Sequence, residues 1–301
     1  MDPHQLRTFV TVVRTGSFSR AAAELGYTQA AVSQQIAALE ADLRTKLLNR
    51  RPVTPTEPGT RLLEHANPIL LRLDAARADV LRMTGPPAAR LTIGLSPLAG
   101  VAATLALTAL RQSMPRLEVI VQVAGRESIA AETAAGNLDA GIVDGLAAPG
   151  DPLALSEASP LTATGIAEEP VVVPLPPGHP LASRTQLSLE ELADARWIDA
   201  PDVAIPLPGI RRATATEGFR AAIRYDGTDL HTLLLLTGQG HGLTLLPLSA
   251  LAPTAAAALA AAPLTAVPVT SPRLVNRAEL LHGYLPPQSP AAALARIAST
   301  H

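Results

Sequence analysis

Thr28, Gln29, Ser33 and Gln34 are uncharged polar side chains spaced so that a helix beginning at Thr28 would gather them on its first two turns. They offer hydrogen-bond donors and acceptors and carry no charge to repel a phosphate. That is the chemistry a helix uses to read base edges in a DNA major groove. Ala30 lies among them, and an Arg50-Arg51-Pro52 run follows. Arginines suit backbone phosphates or a narrow minor groove. A solvated helix pair would use the same residue types, so the surrounding elements decide between the two readings.

Those elements are legible. Ala21, Ala22 and Leu25 make a short apolar stripe, and Gly26 permits the left-handed backbone that ends a helix. Thr28 can cap the next helix, whose Val32, Ile36, Leu39 and Leu43 step by four, three and four toward a core. Upstream, Asp2 at an N-cap, Pro3 at the first helical position and Gln5 open an earlier helix. Its stripe is Leu6, Phe9, Val10 and Val13, and Gly16 ends it. Three short helices therefore precede residue 44. Pro52, Pro55, Pro58 and Gly59 exclude a helix across residues 47–59 and favour a short hairpin, or wing, that carries Arg50 and Arg51.

Residues 4–64 resemble the winged helix-turn-helix of LysR-type transcriptional regulators. The resemblance rests on Leu6-Arg7-Thr8-Phe9-Val10, Gly16-Ser17-Phe18-Ser19-Arg20-Ala21-Ala22, Gln29 through Ile36, Leu39-Glu40 and Thr56-Glu57-Pro58-Gly59, in one order at fixed spacing. Two positions depart from the family: Ala30 stands where proline is usual, and Leu48 where phenylalanine is usual. Ala30 loses a rigid helix start and gains helix propensity, so the fold should survive.

Composition sets bounds. The chain has 301 residues, 48% hydrophobic and 17% charged, which fits more than one globular domain. Residues 1–61 hold eight Arg or Lys against five Asp or Glu, whereas the rest holds 16 against 21. A basic module joined to an acidic one fits a chain whose first part meets nucleic acid. There is no cysteine, so no disulfide, thiolate metal site or cysteine nucleophile exists. The polar, helix-capped start argues against a secretory signal and for a cytoplasmic protein. Residues 230–272 lack Asp, Glu, Lys and Arg, but glycines and prolines interrupt them too often for a membrane span. They read as a buried helix, a buried strand and an Ala-rich surface helix.

A heptad seam follows the wing: Leu62, Ala66, Ile69, Leu73, Ala76, Val80 and Met83 step by four and three. Gly85-Pro86-Pro87 should stop the helix, and Pro68 should kink it. The seam reads as a dimerisation helix, the alternative being a helix packed on its own domain. Beyond it, strand and helix signals alternate from residue 91, implying a mostly parallel sheet. Here Gly136-Asn137-Leu138-Asp139-Ala140-Gly141, Leu175 through Leu181 and Gly238 through Pro247 resemble the LysR-type effector domain, built like a periplasmic binding protein.

The resulting expectation is an α+β multidomain chain. A winged helix-turn-helix occupies residues 1–60, a linker helix 61–87, and an α/β two-subdomain effector domain 88–301. One subdomain covers about 91–165 and 268–301, the other about 166–267. Ligands in such folds sit at strand C-terminal ends between the subdomains. Ser96, Pro97 and Leu98 after the first strand and Arg126 after the second are candidate contacts. Ala200, Pro201 and Thr228 face them from the second subdomain, as the resemblance implies. A hydroxyl, free helix N–H groups and a guanidinium suit an anionic or zwitterionic effector; helix capping is the alternative role for Ser96.

Catalysis lacks support. The seven histidines show no metal-like pairing, Glu168-Glu169 and Glu190-Glu191 read as solvated charges, and no phosphate loop or nucleophile elbow is present. No cofactor is expected. The partners expected are double-stranded DNA with a pseudo-palindromic site, a small effector, and a second copy of the chain, as dimer or tetramer, with no membrane. A transport solute-binding protein and a two-domain α/β enzyme are the alternatives.

Overall fold

The computed structural model describes residues 1–84, 90–154, 161–176, 178–251 and 264–299. The chain forms two compact units, Met1–Arg77 and Ala78–His301.

In the first unit, α1 (Pro3–Thr15) is capped by Asp2, whose side chain accepts from the His4 N–H at 2.6 Å, and ends at left-handed Gly16. α2 (Phe18–Leu25) begins at Ser17, whose side chain accepts from Arg20 N–H, and ends at left-handed Gly26. α3 (Gln29–Asp42) is capped by Thr28, whose hydroxyl accepts from Ala31 N–H at 3.2 Å. These helices enclose Phe9, Val12, Phe18, Ala21, Val32, Ile36 and Leu39. Leu43 does not join them: it is 38% exposed and serves as the α3 C-cap, where the chain turns away. β1 (Leu48–Arg50) and β2 (Val53–Pro55) form the antiparallel wing.

The exclusion of helix through residue 59 is corrected. α4 spans Glu57–Thr84, with Pro58 and Gly59 in its first turn. N–H groups of a first turn have no intrahelical acceptor, so Pro58 loses no bond there. Thr56 Oγ1 accepts from Gly59 N–H at 3.1 Å. A Cβ on Gly59 would lie 2.0 Å from the Leu47 carbonyl oxygen, so only glycine lets α4 start this close to the wing. α4 continues through Pro68. The seam divides. Leu62 and Ala66 pack on the unit's own core, Ala66 together with Leu6 and Leu70, while Ile69, Leu73 and Ala76 are exposed. The side chain of Met83 and the Gly85-Pro86-Pro87 stop lie outside the described residues.

The second unit is built on one eight-stranded sheet. Its strands are β3 (Arg90–Leu95), β4 (Glu118–Val123), β5 (Ala140–Ala147), β6 (Thr162–Leu175), β7 (Leu187–Ser188), β10 (Leu246–Pro247), β11 (Thr265–Ser271) and β12 (Val275–His282). The order is β4-β3-β5-β12-β6-β11-β7, with β10 added on β6. The sheet is mixed, not mostly parallel. β3 runs parallel to β4 and β5, and β7 to β11, but β12 lies antiparallel between β5 and β6, and β6 is antiparallel to β10 and β11. Alternation of strand and helix covers only the first three strands; the returning chain then inserts β12 against their edge.

β6 serves both halves. Residues 162–170 pair with β12 and residues 171–175 with β10 and β11. The first half adds α5 (Gly100–Ser113), α6 (Arg126–Ala135) and α9 (Pro290–Ala298), closing a core of Leu91, Ile93, Leu110, Ile142, Leu280 and Leu294. The second adds α7 (Leu207–Thr214), α8 (Leu230–Gly238) and a parallel pair, β8 (Trp197–Asp199) and β9 (Ala221–Arg224). Its core centres on Trp197, which meets Phe219 edge-on at 5.3 Å and donates its indole N–H to Leu192 O at 2.9 Å. The buried strand expected at 242–247 shrinks to a bridge from Leu243 to Trp197 and the two residues of β10. The Ala-rich helix expected before residue 264 lies outside the described residues. No helix among the described residues is long and apolar enough to cross a membrane.

Candidate functional site

The first unit places its candidate residues on one recognition element. Thr28, Gln29, Ala30 and Gln34 are exposed at the start of α3 and Ser33 is half-buried, while Val32 and Ile36 on the opposite side are fully buried. The split follows the 3.6-residue period: the apolar stripe fixes the helix and leaves its polar face free. Ser19 Oγ donates to Gln29 Oε1 at 3.1 Å, which orients that side chain from α2. Gln35 instead accepts from the Thr8 hydroxyl, inside the helix bundle. Arg50, Arg51 and Pro52 are exposed at the wing tip, and the Arg50 guanidinium lies 4.7 Å from the Phe18 ring centroid. Asn49 Nδ2 donates to Thr54 Oγ1 at 3.2 Å across the hairpin.

Sequence reading missed the residue that ties this wing to α3. Glu40 is 5% exposed. Its Oε1 accepts from Leu47 N–H at 2.9 Å and Leu48 N–H at 3.3 Å, and its Oε2 from Lys46 Nζ at 2.8 Å. Burial alone would raise this carboxyl, but the bonds from Lys46, Leu47 and Leu48 outweigh it and hold the pKa below the ordinary value. A charged residue beside the Val32-Ile36-Leu39 stripe was the available signal.

In the second unit, Ser96 closes β3 and is 1% exposed. It occupies the N-cap position of the short 3-10 turn at Pro97–Ala99, but its hydroxyl makes no capping bond there. Instead Ser96 Oγ donates to Asp144 Oδ1 at 2.5 Å and accepts from Asp144 N–H at 2.9 Å. The hydroxyl proposed for an anion is therefore already committed to a carboxylate. Leu98 packs in one cluster with Ala200, Val203, Ala204 and Leu233, bridging the two halves; Pro97, next to Leu98, and Pro201, next to Ala200, are half-buried. Arg126 begins α6. Its Nη2 donates to Ala204 O at 3.1 Å across the halves and lies 3.6 Å from Asp144 Oδ2. A Cβ on Gly125 would fall 1.9 Å from Asp202 Oδ1, so the halves touch here at glycine distance. Ser96, Leu98, Arg126 and Ala200 thus gather where the two halves meet, and Thr228 is exposed just before α8. Asp144 was missed, although a lone acid within the apolar Ala140–Leu146 run marked it.

Glu168 is exposed as expected but ion-paired, and Glu169 is half-buried and hydrogen-bonded. Arg277 Nη1 lies 2.5 Å from Glu168 Oε1 and its Nε 2.7 Å from buried Glu279 Oε1. Glu169 accepts from both the N–H and the hydroxyl of Ser249. Hydrogen bonding to Glu279, against the opposing effect of burial, raises the Arg277 pKa further. These side chains brace the β6–β12 crossing.

Comparison with known proteins fits both units. Residues 3–60 match the family model "Bacterial regulatory helix-turn-helix protein, lysR family", and residues 84–282 match "LysR substrate binding domain". The chain is 32% identical over 250 residues to a probable hydrogen peroxide-inducible genes activator of Mycobacterium avium, covering 82% of this chain and 78% of that protein. Two solved structures share the fold over nearly their whole lengths. Full-length OxyR C199D from Pseudomonas aeruginosa has a TM-score of 0.55 at 20% identity, covering 99% of each chain. Full-length CbnR complexed with its target DNA has a TM-score of 0.52 at 20% identity, covering 100% of this chain and 99% of that one. With a helix-turn-helix match at one end and a substrate-domain match over most of the remainder, the chain belongs to the LysR family of DNA-binding transcriptional regulators.

Proposed function

We propose that this regulator reads a pseudo-palindromic DNA site as a homo-oligomer and changes its DNA affinity when a small effector enters the crevice of its second unit. Thr28, Gln29, Ala30, Ser33 and Gln34 face base edges, and Arg50, Arg51 and Pro52 meet the DNA backbone. The exposed polar start of α3 beside the basic wing tip carries this reading. Ser96, Pro97, Leu98, Arg126, Ala200, Pro201 and Thr228 form or border the effector crevice. Residues 1–60 serve as the DNA-binding domain, 61–87 as the linker and 88–301 as the effector domain. The exposed Ile69 and Leu73 support the linker's role as a subunit contact. The protein works in the cytoplasm, and its task is regulation, not catalysis.

The signal is not read by a thiol. The Mycobacterium avium relative is named as a probable activator of hydrogen peroxide-inducible genes, and the OxyR structure carries a substituted cysteine. This chain has no cysteine, so neither a sulfenic acid nor a disulfide can form in it. Its effector is therefore not captured through a thiol. Fluorescence anisotropy on the DNA upstream of its own gene, against scrambled DNA of equal length, tests the reading. Affinity at least about tenfold higher for the upstream DNA is expected at fixed salt; equal affinities would refute sequence-specific regulation at that site.

A further inference from the structure

We infer that the crevice of the second unit takes a small molecule bearing a protonated amine or amidine, received by Asp144. The inference rests on the effector-crevice reading above and assigns the buried contact to a cationic group, where sequence alone suggested an anionic or zwitterionic effector held through its anion. Asp144 lies on β5 and is 1% exposed. Its Oδ1 accepts the Ser96 hydroxyl at 2.5 Å, but its Oδ2 has no hydrogen-bond partner. An ionised carboxylate has about four acceptor positions, and leaving one oxygen empty in a buried site is unfavourable. The nearby Arg126 guanidinium does not fill the gap. At 3.6 Å from Oδ2 its Nη2 is beyond good hydrogen-bond distance and donates to Ala204 O instead.

The surroundings favour a cation. Ser96 uses its hydroxyl both to donate to and to accept from Asp144, so it has no donor proton left for an anion. Asp202, pressed against Gly125 beside Arg126, adds a second carboxylate. Two acids thus stand against one guanidinium. Buried Leu98, Ala200, Val203 and Ala204 form one packed cluster, whose Ala204 carbonyl accepts from Arg126, and in such apolar surroundings an N–H to carboxylate bond is stronger than in water. An ammonium at Oδ2 would complete the set that Arg126 leaves open. A bare carboxylate placed there would meet a buried charge of its own sign.

The test uses the full chain and pairs each basic probe with a partner lacking its basic nitrogen: ethanolamine with ethylene glycol, glycine with acetate, putrescine with butanediol, acetamidine with acetamide. Thermal unfolding is followed by the fluorescence of the single tryptophan, Trp197, which lies in the second unit. A probe that binds the folded state raises the apparent melting temperature saturably. The expected result is a rise with at least one amine or amidine and none with its partner lacking that group. Asp144→Asn should unfold near the parent temperature and bind that amine at least about tenfold more weakly. Arg126→Met removes the competing cation and should tighten amine binding, the opposite of what structural damage would do. The inference is overturned if no amine stabilises the parent, if only carboxylates or neutral probes do, if Asp144→Asn binds amines unchanged, or if Arg126→Met weakens binding. Amine binding is read without DNA. A loss of specific DNA binding would therefore strike the regulator reading alone, and a carboxylate effector that alters DNA binding would strike only this inference.

Discussion

Replacing Glu40 by alanine should unfasten the wing from the recognition helix. The carboxylate receives two backbone N–H groups, at 2.9 and 3.3 Å, from a side chain that is 5% exposed. Hydrogen bonds to a charged group are worth about 1.5–3 kcal/mol each, and a buried donor left without a partner costs about 1–3 kcal/mol. The Leu48 bond is long and lies at the low end. Lys46 is 77% exposed, so its pairing adds no more than about 1 kcal/mol. Alanine regains a few tenths in helix propensity. The net expectation is a loss of about 2–4 kcal/mol in the first unit; Glu40→Gln, which keeps an acceptor oxygen, should lose about 1 kcal/mol. The pH dependence follows from the lowered pKa. The stabilisation is fully present above the ordinary carboxylate value of 4.5 and is lost as pH falls through the lower folded value, so parent and Glu40→Gln should converge in acid. Denaturant unfolding read by far-ultraviolet circular dichroism measures the loss, and Trp197 fluorescence supplies an internal control because it lies in the other unit. A parent-like dichroism transition in Glu40→Ala, or a shift confined to the Trp197 signal, would refute the reasoning.

Gln29→Ala should weaken binding to the cognate site by about 1–3 kcal/mol while leaving random DNA nearly unchanged, as anisotropy titrations would read; equal losses would remove Gln29 from base reading. Arg51→Ala should weaken all sequences alike and reduce the slope of log affinity against log salt by about 0.9, a value that would stay at the parent's if Arg51 touches no phosphate. Glutamates at Ile69 and Leu73, 38% and 42% exposed on α4, should separate subunits in light scattering because a charge in an apolar seam loses its hydration. An unchanged mass would place the main contact elsewhere.

Much of the first unit was legible because its signals are local. Asp2, Gly16, Gly26 and Thr28 each cap or terminate a helix through bonds spanning only a few residues, and the Val32-Ile36-Leu39 stripe needs only helical geometry to face inward. Pro58 and Gly59 misled because both residues break helix interiors, whereas a first turn tolerates them. The heptad seam misled in part because a period gives a direction and not a partner: Leu62 and Ala66 found the unit's own core, and Ile69 and Leu73 did not.

The crevice was less legible for a related reason. Ser96 and Arg126 both approach Asp144, and the charge of that place depends on a contact spanning 48 residues, from Ser96 just after β3 to Asp144 on the neighbouring strand β5. A serine at a strand end before a helical turn looks the same in sequence whether it caps the turn, binds an anion or anchors a buried acid. Its meaning is set by whichever side chain the adjacent parallel strand presents opposite it. β12 shows the same dependence. Its antiparallel placement between β5 and β6 follows from where the chain returns. That return pairs Arg277 with Glu168 and Glu279, so an exposed acid of β6 becomes part of a brace between β6 and β12.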